Sequence, residues 1–368
     1  MKIQPPGAGA LFSNTTGDNN TANGTFALFS NSTGATNTAN GSEALLHNTD
    51  GTSNTAVGFA ALSSNLIGNA NTAIGDSALS SNTAGSNTAV GFQVLHSNTT
   101  GEFNTAIGWS ALSTNTIDSH NTATGVDALV NNVGASFNTA NGNGALMSVV
   151  TNNNNTATGY LALGNATGSN NTALGAFAGS KVMTADNVIC IGANLGGADT
   201  SNTCFIGNIF GATSSGGTAV FINSSGQLGT ATSSRRFKDE IEPINKASEA
   251  LFALNPVTFR YKKELDPAGT SQFGLVAEDV EKVNRDLVVR DKEGKPYSVR
   301  YDAVNAMLLN EFLKEHRTVQ ELKSVVAKQE ATAARQQKQI EALTVGLQKV
   351  SAQLQVKKSE PQTVQNAR

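Results

Sequence analysis

The apolar positions of this chain follow two regular spacings, separated by stretches with neither. In the first, the pentapeptide N-T-A-x-G starts at Asn20, Asn37, Asn54, Asn71, Asn87, Asn104, Asn121, Asn138, Asn155 and Asn171, at intervals of 16 or 17 residues. The ten copies share the consensus N-T-A-x-G-x-x-A-L-x-S-N-T-x-G-x-x, and Gly7 to Asn19 continues it backwards in degenerate form. Alanine at the third position is invariant, and leucine recurs at the ninth in every copy but the last. A short fixed period held over ~170 residues predicts a solenoid whose units stack only on their neighbours.

The period is too short for a helix-pair repeat, and Gly and Asn in every unit oppose helix. We therefore expect one coil of parallel β-structure per repeat. Thr-Ala-x-Gly forms one short strand and the Ala-Leu segment a second, with Asn and Gly at the corners because both tolerate left-handed backbone. Stacked Asn side chains can hydrogen-bond from coil to coil. At ~4.8 Å per coil the ten copies predict a rod of roughly 50 Å. A core of Ala and Leu is thin, which favours association of several chains. The polar composition alone also fits a disordered tract, but the strict phase argues against it. The units lack the pattern of calcium-binding β-rolls.

The second spacing is a heptad. Phe312, Val319, Val326, Ala333, Ile340, Leu347 and Leu354 fall at one core position, and Leu322, Gln329, Gln336, Leu343 and Val350 at the other, which begins weakly at Glu315. Alternating steps of three and four predict a coiled coil over 312–356, with Gln329 and Gln336 as polar layers that fix register. Residues 357–368 read as a frayed tail.

Between the two lies a change of character. Apolar strands are predicted at 187–192, 202–207 and 218–223, the last followed by the turn Ser224-Ser225-Gly226, so 181–232 reads as a β-rich neck. From residue 233 the pattern is that of an α+β domain. It has an alternating strand at 256–261, a second at 272–277 running into the acidic helix start Glu278-Asp279, and a hairpin with arms 287–289 and 297–301.

Charge sharpens this division. Lys2 and Lys181 are the only basic residues before Arg235; with 9 acids before residue 233 the front carries 2 − 9 = −7, and the back 23 − 19 = +4. Neither half has the basic stripe that phosphate-backbone binding needs, so nucleic acid is not an expected partner. Cys190 and Cys204 fall one residue out of phase with the Ile-Gly pairs after them, so they point to opposite faces and read as buried thiols rather than a bridge or metal site. No apolar run has transmembrane length, and no membrane insertion is expected. The N-terminus lacks a signal-peptide core. Either export proceeds without one, or the sequence begins inside a longer protein. His47, His96, His120 and His316 form no metal-ligand spacing, so neither metal nor other cofactor is expected. No Ser-His-Asp set or phosphate loop is present. The pairs Asp239-Glu240 and Glu278-Asp279 read as helix-start charge rather than glycosidase acids.

The candidate chemistry sits at the composition boundary, in S-S-R-R-F-K-D-E-I from Ser233. This run, followed by N-P-V-T-F-R-Y, G-L-V-A-E-D-V and V-R-Y-D-A-V-N-A-M-L-L-N-E, resembles the endosialidase-type intramolecular chaperone domain that ends phage tail spikes and fibres, and is similar to the self-cleaving segment of some membrane-bound transcription factors. The resemblance covers 233 to about 320 in motif order. The N-T-A-x-G core more loosely resembles the head repeats of trimeric adhesins and phage fibre shafts.

The resemblance implies a homotrimer whose C-terminal domain helps the upstream shaft fold in register and then releases itself by cutting before a serine. It places the serine at Ser233, the arginine of S-x-x-R-x-K at Arg236 and the lysine at Lys238, with Ser234 where the family commonly has Asp. A serine hydroxyl needs a base, and a lysine serves once burial or neighbouring positive charge keeps its amine neutral; Arg235 and Arg236 favour that form. Ser233 would attack the Thr232 carbonyl, giving an ester that water resolves and splitting Thr232 from Ser233 in one turnover, with no external substrate. The plainer reading makes this run a linker with Ser233 or Ser234 as an N-cap.

The expected whole is mainly β with an α+β C-terminus: a 17-residue-repeat parallel β-solenoid or β-roll shaft (1–180), a β-rich neck (181–232), a self-cleaving chaperone domain (233–311), a trimeric coiled coil (312–356) and a disordered tail (357–368). The expected function is a homotrimeric tail-fibre or surface-adhesin shaft, on a phage virion tail or a bacterial surface, with a host glycan or receptor as the outside partner. The alternative is an uncleaved adhesin with the C-terminal domain as a permanent trimerisation cap. A depolymerase would need a large catalytic domain that these residues do not supply.

Overall fold

A computed structural model describes residues 7–358, with side chains to residue 355. The chain divides into two compact units, one ending at Ser214 and the other starting at Ser215.

The first unit is the solenoid. Each repeat contributes one three-residue strand, from β1 (Thr21–Asn23) through β10 (Thr172–Leu174) to β11 (Ile189–Ile191) and β12 (Cys204–Ile206), and the twelve form one parallel sheet in sequence order. Register is strict: Thr55 pairs with Thr72, Ala56 with Ala73 and Val57 with Ile74. The strand alanine turns inward and its neighbours outward, as the two-residue period of a strand demands. The core is as thin as the repeat implies: Ala56, Ala61 and Leu62 in one coil, Ala106, Ala111 and Leu112 in another, all fully buried.

The second predicted strand does not form. The Ala-Leu segment is a run of turns in which φ alternates in sign, positive at Ala60 (50°) and Leu62 (53°), at Ser110 (55°) and Leu112 (51°), and so on along the unit. Alternate amides therefore serve two partners. The Leu62 N–H donates to Ala78 O in the next coil at 3.0 Å, and the Ser63 N–H closes a turn on Ala60 O at 3.3 Å. A left-handed non-glycine residue costs about 1–2 kcal/mol, whereas burying a leucine contributes roughly 1.5–3 kcal/mol. Burial outweighs the backbone strain, so leucine keeps the position.

The corners also differ from expectation. The left-handed residue just before the strand is Ser53, Ala70, Phe103, His120 or Phe137 as readily as asparagine. The strand-leading asparagines are instead buried and used for hydrogen bonding. Glycine is required by close approach at the fifth repeat position: at Gly58, φ is +135° and a Cβ would lie 2.3 Å from the Gly75 carbonyl oxygen.

Two asparagine ladders run through the coils. In one, each Oδ1 accepts the backbone N–H of the residue one coil on, without a break from Asn20 to Val188, at 2.8–3.0 Å. The second joins Asn14, Asn31, Asn48 and Asn65, then Asn82, Asn98, Asn115 and Asn132, through Nδ2–H···Oδ1 bonds of 2.7–2.8 Å. It breaks where a repeat is one residue short. There the Asn82 amide turns to Ala84 O at 2.7 Å, and Asn65 Oδ1 is left unpartnered. It stops at Asn132, because the next coils carry Val149, Ala166 and Val182 at this position, all buried.

The parallel sheet continues through β11 and β12, so two of the three strands assigned to the neck extend the solenoid's own ladder. Cys190 stands in register with Ala173 and is buried; Cys204 pairs with Ile189 and is exposed. The opposite facing is as expected, but a strand with one core buries only one of its two faces, so Cys204 is not a buried thiol. Asp199 finishes the stack, its Oδ1 accepting the backbone N–H groups of Met183, Thr184 and Ala185 at 2.7–2.9 Å.

The second unit holds the hairpin β13 (Val220–Ile222)–β14 (Leu228–Thr230), the antiparallel pair β15 (Val257–Phe259)–β16 (Gln272–Gly274), helix α1 (Ala277–Val283), the hairpin β17 (Val288–Arg290)–β18 (Pro296–Val299) and helix α2 (Tyr301–Lys358). Its small core joins Val280, Leu287, Val288 and Val299 to Val304 and Met307 on the first turns of α2. The helix thus starts before the heptad run and packs locally. Beyond that point the heptad stripe is uncovered: Phe312 is 66%, Leu343 68% and Leu347 72% exposed. From residue 359 the expected frayed tail lies outside the described residues. Among the described residues no helix is long and apolar enough to cross a membrane.

Candidate functional site

The sequence around residue 233 is polar and uncommitted until Arg235, where Arg235–Phe237 close one 3₁₀ turn. The Phe237 N–H donates to Ser234 O and the Lys238 N–H to Arg235 O, each at 3.1 Å. A single such turn folds the chain back on itself, and that brings residues five apart into contact. The Lys238 Nζ donates to the Ser233 Oγ at 3.2 Å. Ser234 occupies the N-cap of the turn but makes no side-chain capping bond, so capping does not account for the serines. The Arg236 guanidinium lies 4.5 Å over the Phe237 ring. Thr232, Ser233, Ser234, Arg236 and Lys238 are all exposed. The structure thus brings the predicted pair together and buries neither member.

A hydroxyl beside an amine on one short turn is suited to transfer of the hydroxyl proton to the amine as the oxygen attacks a nearby carbonyl. The carbonyl bonded to the Ser233 amide nitrogen is that of Thr232. Among the described residues of the first unit, two of the histidines are engaged in local contacts. His96 Nδ1 pairs with Ser80 Oγ at 2.8 Å, and His120 stacks between Phe103 and Phe137 with ring centroids 5.1 and 5.0 Å apart. Among the described residues no three His, Cys, Asp or Glu side chains converge on a point that could hold a metal.

One polar cluster carries no signature in the sequence. Ser248 is fully buried on the 3₁₀ segment Asn245–Ala253. Its Oγ accepts from Asn310 Nδ2 at 2.7 Å and from Lys314 Nζ at 3.4 Å, and donates to Glu311 Oε1. Lys314 also bonds Glu311 at 2.7 Å, and with Ser248 it holds the Glu311 carboxyl below its usual range. The partners lie more than 60 residues from Ser248 along the chain, so spacing gave no sign of them. The cluster fastens this segment to α2 at the start of the exposed heptads, its α2 residues flanking Phe312.

Residues 233–289 match the family described as the chaperone of endosialidase. The match opens on Ser233 and runs through α1 to β17. No curated protein and no solved structure matches the chain.

Proposed function

We propose that this chain is the shaft of a homotrimeric tail fibre or surface adhesin, whose C-terminal chaperone domain drives assembly and then cuts itself away between Thr232 and Ser233. The contact between Lys238 Nζ and Ser233 Oγ at 3.2 Å carries the reading, because it lies at the first residue of the chaperone match. In the proposed reaction the Ser233 oxygen adds to the Thr232 carbonyl while the Lys238 amine takes its proton. The C–N bond then breaks, the amide nitrogen of Ser233 receives a proton and leaves as an amine, and Thr232 is held as an ester on Ser233 Oγ. Water hydrolyses that ester, giving the Thr232 carboxylate and a free Ser233. The nucleophile departs with its own fragment, so each chain reacts once.

The uncovered stripe on α2 supports self-association, since an apolar heptad row exposed on this scale needs a partner helix. Three chains is the number the resemblance implies. Exposure of Ser233 and Lys238 in the single chain gives assembly a further role: a neighbouring chain that covers the pair shields it from water as the reaction proceeds. Cleavage then follows assembly. The same exposure is the observation that favours the second reading, in which the domain stays on as a permanent cap. Light scattering on the Ser233→Ala protein tests the assembly step. Three chain masses are expected, and a monomer would overturn it.

A further inference from the structure

Residues 208–247 are exposed without exception, yet part of this stretch is well formed. In β13–β14, Val220 pairs with Thr230, Phe221 with Gly229 and Ile222 with Leu228. Asn223 builds the turn, its Oδ1 accepting from the Ser225 N–H at 3.1 Å, the Ser225 hydroxyl at 2.7 Å and the Gln227 N–H at 3.0 Å. The register puts Val220, Ile222 and Leu228 on one face, where they are 65, 67 and 63% exposed. A two-stranded hairpin with strands this short is marginal by itself, and nothing among the described residues covers its apolar face.

We propose that the Val220–Ile222–Leu228 face packs against the same face of other copies of this chain, and that this contact keeps the shaft assembled after the C-terminal domain has left. Three observations favour a second copy over a foreign partner. Residues 200–234 hold no charged side chain and no histidine, although the residues that follow are rich in both signs. Copies meeting about a symmetry axis place identical groups opposite each other, so an uncharged segment is what such a contact needs. The uncovered heptad row of α2 belongs to the same compact unit and would bring copies of the hairpin together. Finally, the hairpin precedes the Thr232–Ser233 bond, so it stays with the shaft when that bond is cut. The inference rests on the assembly and release proposed above and adds what holds the product.

The test uses the full chain and a V220S/I222S/L228S variant, each with and without Ser233→Ala, compared by light scattering over a dilution series. Both uncut proteins are expected to remain assembled through α2, with equal far-ultraviolet spectra showing that the hairpin changes leave the rest folded. After cleavage the wild-type shaft stays assembled, whereas the variant shaft falls to monomer, its dissociation concentration raised roughly a hundredfold or more. A variant shaft that stays assembled like wild type overturns the proposal. Should the wild type assemble but remain whole, self-cleavage fails and the hairpin is still testable, because a protease site inserted after Thr232 releases the C-terminal part from outside. A monomeric Ser233→Ala protein would overturn the assembly reading and this one with it.

Discussion

Asn37 Oδ1 accepts the backbone N–H of Asn54 at 2.9 Å, while the Asn37 Nδ2 donates to Gly51 O, one coil on, at 2.8 Å. One buried side chain thus satisfies a donor and an acceptor of the next coil, and the arrangement recurs along the solenoid. The asparagines do for the coil corners what strand pairing does for the sheet: they satisfy polar backbone groups that water cannot reach.

Replacing one ladder residue should therefore cost more than its size suggests. Asn54→Ala strands the Asn71 N–H, which Asn54 now serves at 2.9 Å, and takes one of two donors from the Gly68 carbonyl, which keeps the Asn65 amide at 2.9 Å. A loss of about 1–3 kcal/mol is expected, the cost of one stranded buried donor. Urea titration of the solenoid checks this. A loss below about 0.5 kcal/mol would mean that the ladder is dispensable.

Asp118 sits at the corner position that Gly34 and Gly51 occupy in earlier repeats, nearly buried, with Oδ2 unpartnered. Burial pushes its carboxyl above the ordinary aspartate value of 3.8, opposed in part by a bond from the Ala135 backbone. A carboxyl whose folded value is raised binds its proton more tightly when folded, so its ionised form weakens the fold above that value and the penalty lifts as pH falls through it. Asp118→Ala is expected to raise the thermal midpoint at neutral pH, with the gain shrinking as the solution is acidified towards 3.8. A variant less stable than wild type at neutral pH would contradict this.

Asp199 titrates with the opposite sign. Backbone N–H bonds from Met183, Ala185 and Thr184, with the Thr184 hydroxyl, hold its carboxyl below 3.8. The support it gives the last corner is present above the unfolded value and is lost as pH falls through the folded one. Asp199→Ala should speed amide exchange at Met183, Thr184 and Ala185 at neutral pH while leaving the coils around Asn54 unchanged, because coils contact only their neighbours. Equal exchange in both proteins would remove Asp199 from this role.

The two glutamine layers of the proposed coiled coil give a fourth test. Gln329→Leu with Gln336→Leu should raise the melting temperature of the assembled Ser233→Ala protein, since polar layers lower stability, and should broaden the range of chain numbers seen by light scattering. A lower melting temperature would argue against core positions for both.

The sequence revealed these features unequally. Period, invariant alanine and recurring leucine announced the solenoid because every coil repeats one environment. The Ala-Leu turns were hidden, because alanine and leucine carry no mark of positive φ and only packing forces Leu62 into it. Cys204 was misplaced because phase shows which residues face apart, not which face is covered. At the candidate site, Ser233 and Lys238 were legible from a five-residue spacing that one 3₁₀ turn closes. The Ser248–Asn310–Glu311–Lys314 cluster was not legible, since it joins segments far apart in the chain through contacts that only the fold creates.

The most direct test of the proposed release is the intact mass of the purified protein as wild type, Ser233→Ala and Lys238→Ala. Wild type is expected as two fragments divided between Thr232 and Ser233, with both variants whole. Full-length wild type under conditions where the chains assemble would contradict self-cleavage and leave the domain as a permanent cap.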